Sequence, residues 1–171
     1  MGLRRVMCRC RGFSLAVPFL AALAFALWQK PLAAGDPDAT NAVIATCVDG
    51  ERAADRSGRD CIGRVAGPCK AMPENTHRAD QMECDEREFV LWSQLLQKEF
   101  ARLEKLLTPR QREALRSSQS LWVRYQSDDC RVPYVLFSQD QADFAGPACT
   151  IELKASRALQ LRAWRDALGD L

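Results

Sequence analysis

The chain has 171 residues, with 24 Lys and Arg, 22 Asp and Glu and a single histidine, and a formal net charge of +2. That length fits one compact domain with a modest core. No Lys/Arg stripe with interleaved aromatics occurs, which argues against a nucleic-acid binder. Arg4, Arg5, Arg9 and Arg11 make a basic start, followed by the almost wholly apolar stretch from Phe13 to Trp28. Leu32-Ala33-Ala34 then offers a small-residue cleavage site, so residues 1–34 read as a secretory signal. The apolar stretch falls short of the roughly 20 residues that a span needs, so no stable membrane anchor is expected once the signal is removed. Cys8 and Cys10 leave with it, and no cysteine follows closely enough for lipid attachment. From Gly35 onward 19 basic residues face 22 acidic ones, a net charge of −3.

Residues 35–60 are expected to form a leader and a first short helix. Gly35 to Asn41 reads as flexible, Ala42 to Cys47 as one or two helical turns, and Asp49 to Arg59 as a polar loop. A helical domain over 61–168 follows. Cys61 to Lys70 suggests a short helix weakened by Gly63, Gly67 and Pro68. After the turn at Pro73-Glu74-Asn75, Phe89, Trp92, Leu96, Phe100, Leu103 and Leu107 recur at spacings of three and four, widened by Leu95 and Leu106. They predict an amphipathic helix of roughly 25 residues. Thr108-Pro109-Arg110-Gln111 starts the next one, with Thr108 as cap, Pro109 at the first helical position and Gln111 closing a capping box. This helix runs to about Cys130, and the short connection predicts an antiparallel hairpin. Pro133 ends or kinks it. Ser138 to Ala148, with Gly146-Pro147, reads as a loop, and a last helix spans Cys149 to Leu168 with Ile151, Leu161, Trp164 and Leu168. β-branched alternation is absent. The expected fold is all-α, a small disulfide-stapled helical bundle built around an antiparallel helical hairpin.

Six cysteines follow the signal: Cys47, Cys61, Cys69, Cys84, Cys130 and Cys149. An even count in an exported segment reads as a disulfide framework and places the protein in an oxidising, periplasmic or secreted setting. Six cysteines allow fifteen pairings. Locality favours Cys47–Cys61, Cys69–Cys84 and Cys130–Cys149, each pinning a helix end to its neighbour.

Catalytic and metal chemistry find little support. No Cys-x-x-Cys pair, zinc spacing, Gly-rich phosphate loop or Ser-His-Asp order occurs. His77, the only histidine, lies in a polar stretch and suits a surface residue. The neighbours Asp85-Glu86 and Asp128-Asp129 would diverge on a helix and make poor acid–base dyads. No cofactor or metal is expected, and a binding protein fits better than an enzyme.

Several motifs carry a resemblance. Cys69 with Thr76, Met82 and Cys84 forms one group; Trp92, Leu95, Leu96 and Phe100 a second; Leu115, Gln119, Trp122, Arg124, Tyr125 and Cys130 a third; Cys149, Leu153, Arg157 and Leu161 a fourth. Together they resemble the LprI-like lysozyme-inhibitor family of bacterial envelope proteins over roughly Cys61 to Arg162. Ser93, Gln97, Phe100 and Gln126-Ser127 depart from that pattern, and Gln141 to Gly146 lacks its Gly-Gly. The departures are mostly polar, whereas the cysteine and apolar positions are kept. The resemblance implies a binding protein whose protein partner is a lysozyme that it blocks; an envelope structural or interaction protein of the same fold with an unrelated partner is the alternative.

The motif residues themselves suit mostly structural roles. Trp92, Trp122 and Tyr125 lie at helical spacing and are expected to pack in the core. Gln119 would tie its amide to a neighbour, and Arg124 would pair with Asp128 four residues on. The candidate partner-binding residues are Asp140, Asp143 and Phe144 in the expected loop, because loops on stapled scaffolds commonly bind. The acidic stretch Glu74 to Glu88 is the second candidate.

Overall fold

The computed structural model describes residues 37–169, and the expected signal segment 1–34 lies outside them. Six α-helices and one short 3-10 turn make up the described chain, with no strand among the described residues. They are α1 (Pro37–Ala53), the 3-10 turn Arg59–Cys61, α2 (Ala66–Lys70), α3 (Arg78–Leu106), α4 (Pro109–Asp129), α5 (Pro133–Leu136) and α6 (Gln139–Gly169). The fold is all-α and stapled by disulfides. None of the described helices is long and apolar enough to cross a membrane.

The bundle is organised around α3 and α6, which run parallel. Arg78 near the start of α3 pairs with Asp140 near the start of α6, Lys154 lies over the Phe89 ring, and Glu99 pairs with Arg165. Their shared face buries Leu91, Trp92, Leu95, Leu96 and Leu103 against Ile151, Ala155, Ala158 and Leu161. Small alanines on α6 leave room for the larger α3 side chains to pack against it. The expected stripe on α3 is therefore largely internal, but Leu106 is 52% exposed because it falls in the last turn, past the end of the packed face.

The hairpin connection is as short as expected. Thr108 caps α4, accepting from Gln111 N–H, while the Gln111 side chain accepts from Thr108 N–H at 2.9 Å. Arg112 donates back to the carbonyls of Glu104 and Leu107, closing the C-terminus of α3. Yet α4 stands farther from α3 than α6 does. Only Leu115 of α4 is buried, and an apolar groove of about 500 Å³, lined by Leu103, Leu115 and Trp164 among others, separates its first half from α3 and α6. Tyr125 is 54% exposed, which corrects the expectation that it packs in the core, whereas the half-buried Trp122 packs against the core as expected.

Two further segments differ from expectation. The region read as leader, short helix and polar loop is mostly one 17-residue helix, α1. Ile44, Cys47 and Val48 give it an apolar edge at spacings of three and four, and Ile44 and Val48 are almost fully buried. The short apolar edge hid the helix, because most of its remaining positions are polar or small. At Gly58, φ is +79° and an added Cβ would lie 2.9 Å from Leu159 Cδ2, so the chain returns from α1 at a position that favours glycine. The segment Ser138 to Ala148 is helical, not a loop: α6 begins at Gln139. Ser138 N–H and Oγ both donate to Gln141 Oε1, a Ser-x-x-Gln start signal that Gly146-Pro147 masks in the sequence. Pro147 removes one donor from the helix without ending it. Likewise Pro133 opens α5 instead of ending α4, which already stops at Asp129.

The disulfides join Cys47 to Cys61, Cys69 to Cys84 and Cys130 to Cys149. They tie α1 to the 3-10 turn, α2 to α3, and the end of α4 to α6. Polar pairs complete the joints. Arg52 and Arg165 both bond to Asp166, Arg162 reaches Asp49, and Arg165 also holds the buried Glu99. Partial burial opposes ionisation of the Asp166 carboxyl, but hydrogen bonds from Arg165 and Arg52 outweigh it and hold the pKa below the ordinary 3.8. A depressed carboxylate stabilises the folded state above its unfolded value, and that contribution is lost as pH falls through the folded one. Thermal unfolding at pH 6 and pH 3 should therefore show a loss in wild type that Asp166→Asn reduces. An identical loss in both would remove Asp166 from the acid response.

Candidate binding surface

The α4–α5–α6 corner forms one surface. Cys130 ends α4, and Pro133 starts a four-residue helix that projects from the disulfide to Cys149. Tyr134 lies across α6 at Gly146, where an added Cβ would come within 2.7 Å of the ring carbon Cζ. Glycine at that point lets α5 sit close to α6. The following side chains then face outward. Val135 is 79% exposed, Leu136 67% and Phe137 51%, with Val132, Tyr134 and Phe144 also exposed. Isolated exposed apolar side chains are ordinary, but a contiguous knuckle of this kind is a candidate interaction surface. Asp128, Asp129 and Asp140 fringe it, with Arg131 pairing to Asp128 at 3.9 Å.

The residues singled out from the sequence divide between this surface and the interior. Asp140 is on the first turn of α6, largely exposed, with Arg78 Nη1 at 2.5 Å. Asp143 is mostly covered and also engages Arg78, so its charge is balanced within the chain. Phe144 stands exposed beside α5. Arg124 and Tyr125 are exposed on α4; Asp128 pairs with Arg131, and Tyr125 OH donates to Asp129 at 3.3 Å. The Asp129 carboxylate raises the pKa of that phenol. His77 is exposed just before α3.

Gln119 and Arg157, far apart in sequence, meet. Gln119 Oε1 accepts from Arg157 Nε at 3.0 Å, and Ser118 and Gln160 accept from its other nitrogens. The guanidinium also lies 5.3 Å from the Trp164 ring. Only 5% exposed, Arg157 has its pKa lowered by desolvation. The polar cluster joins α4 to α6 where their apolar contact is thin, with Gln119 and Ser118 as its α4 members.

Trp92 is fully buried and donates from Nε1 to Glu88 at 3.1 Å. Glu88 is itself fully buried and also accepts backbone N–H from Gly63, Val65 and Ala66, at 2.6 to 3.0 Å. One carboxylate thus holds the chain between the 3-10 turn and α2, satisfying N–H groups at the start of α2. Of the acidic stretch Glu74 to Glu88, Asp85 and Glu88 point inward, while Glu74, Glu83 and Glu86 stay exposed. Sequence reading missed Glu88, although a Glu four residues before a core Trp on one helical face was the available signal. The knuckle was missed too; its signal was the run Val132-Pro133-Tyr134-Val135-Leu136-Phe137 amid polar residues.

A family model described as Lysozyme inhibitor LprI matches residues 69–161, more than half of the chain. The chain belongs to the lysozyme inhibitor LprI family. The match takes in the knuckle, the Gln119–Arg157 cluster and two of the disulfides; α1 and the Cys47–Cys61 bridge lie before the LprI-family region. No curated protein and no solved structure matches the chain. Family membership describes an inhibitor rather than a catalyst, and the bridges suit an oxidising compartment.

Proposed function

We propose that this chain is exported through residues 1–34 and acts in the periplasm or outside the cell, where it binds and blocks a muramidase. The exposed apolar knuckle on an LprI-family scaffold carries this reading. A short, disulfide-anchored projection loses little entropy on docking, and its apolar residues suit the central, water-excluding part of an interface. The acidic fringe and the net charge of −3 after Gly35 favour a cationic partner and speed encounter at low salt. The knuckle, with Asp140 and Phe144 at its edge, is the surface that enters the enzyme's cleft.

The test is a cell-wall lysis assay with c-type, g-type and i-type lysozymes and the oxidised protein. Inhibition of at least one class is expected. Leu136→Asp should weaken it about thirtyfold, the size of a hot-spot loss. Its thermal midpoint should stay at the wild-type value, because Leu136 is 67% exposed. Undiminished lysis in a large excess of wild type sinks the inhibitor reading, and full inhibition by Leu136→Asp moves the interface elsewhere.

A further inference from the structure

A cleft of about 650 Å³ opens between the segment that includes α2 and the first half of α6, with α3 at its base. Its walls are small and largely apolar, with Ala66, Gly67 and Ala148 among them. Its charged lining is three carboxylates, Asp85, Glu88 and Glu152, against one ammonium, Lys70. Glu88 is saturated by its four N–H donors, and Glu152 is engaged from outside by Arg59. Asp85 differs. It is 4% exposed, and its Oδ1 lies 2.6 Å from Lys70 Nζ, but no donor reaches its buried Oδ2. Lys70 balances the charge, but leaving one buried carboxylate oxygen without a donor is still costly. The cleft therefore combines excess negative charge, an acceptor without a donor, and walls that suit an aliphatic stem.

We infer that this cleft is a socket for an arginine or lysine side chain of the protein partner, its cationic head bound to Asp85 Oδ2 and its stem lying along Gly67 and Ala148. The inference rests on the binding-protein reading and adds the chemistry that the partner must present. Oδ2 is buried, and in this inference the head reaches it as the flexible Lys70 side chain, itself 31% exposed, swings outward. Lys70 then exchanges its ion pair for solvent, which its partly exposed position on a flexible stem allows. A neutral donor could satisfy the oxygen but would forgo the attraction of the surplus carboxylate charge.

The probe is n-butylguanidinium, with n-butylurea as its neutral isostere, titrated into the oxidised protein and followed by amide chemical shifts. Binding on the order of 1 mM is expected for a fragment of this size. Shifts should centre on Gly63, Gly67 and Ala148, with the urea at least fivefold weaker. Asp85→Asn should weaken guanidinium binding about tenfold. Because that change also removes the partner of Lys70, Ala148→Leu provides a second variant: it keeps Asp85, sits at an exposed helical position and fills the cleft. Equal binding of both probes, shifts centred elsewhere, or binding retained in both variants overturns the socket. Muramidase inhibition without Asp85-dependent guanidinium binding would also overturn it while leaving the inhibitor reading intact. Guanidinium binding at this cleft in a protein that blocks no lysozyme supports the socket and sinks only the inhibitor reading.

Discussion

Reduction of the three disulfides is expected to unfold the domain at neutral pH without denaturant. The bridges close sequence separations of 14, 15 and 19 residues. Loops of that size confer about 3 kcal/mol each by restricting the unfolded chain, or roughly 9 kcal/mol together. A domain of this size has a total margin of about 5–15 kcal/mol. The core offers little reserve, because α4 buries only Leu115 and α2 is five residues long. Cys130–Cys149 and Cys69–Cys84 therefore carry much of the anchoring of these two helices. Far-UV circular dichroism and tryptophan fluorescence should report the loss in excess dithiothreitol, with recovery on reoxidation. A reduced protein that keeps its helicity and a cooperative melt within a few degrees of the oxidised one would show that packing alone suffices.

The second large effect is at Glu88. Glu88→Ala removes a fully buried carboxylate and leaves four N–H donors, from Gly63, Val65, Ala66 and Trp92, without their acceptor. Breaking one side of a buried charged network typically costs about 3–5 kcal/mol. A loss of about 4 kcal/mol is expected in urea denaturation of the oxidised protein, with a thermal midpoint roughly 12–20 °C lower. Glu88→Gln keeps the volume but turns an amide N–H₂ toward donors, so it should recover only part of the loss. Glu86→Ala, at an exposed position on the same helix, should change stability by less than about 0.5 kcal/mol. A loss below about 1 kcal/mol for Glu88→Ala would mean that water or a shifted backbone satisfies those donors.

The parts legible in advance were those where local rules agree. The Thr108 capping box, the buried stripe on α3 and the three local cysteine pairs each depend on residues close in sequence. Misreadings arose where a local signal was weak or opposed. Gly146-Pro147 suggested a loop, yet Ser138 and Gln141 start a helix and the ring of Tyr134 occupies the space beside Gly146. The polar positions of α1 concealed a helix held mainly by Ile44, Val48 and a bridge. Asp140, Asp143 and Phe144 were read as loop residues, but their helical placement turns Asp143 into an internal partner of Arg78 and leaves Phe144 beside the knuckle.

By itself the order of residues determined helix class, family and cross-linking, because periodicity, capping and cysteine spacing act over one or two turns or one short loop. Tertiary structure alone decided which helices pack most closely, which acids turn inward and which apolar residues stay outside. The three backbone donors on Glu88 come from 22 to 25 residues away, the Glu99–Arg165 pair of the parallel α3–α6 packing spans 66, and the open Asp85 cleft joins α2, α3 and α6. Burial and charge compensation depend on what lies across the interface, and no local pattern encodes that.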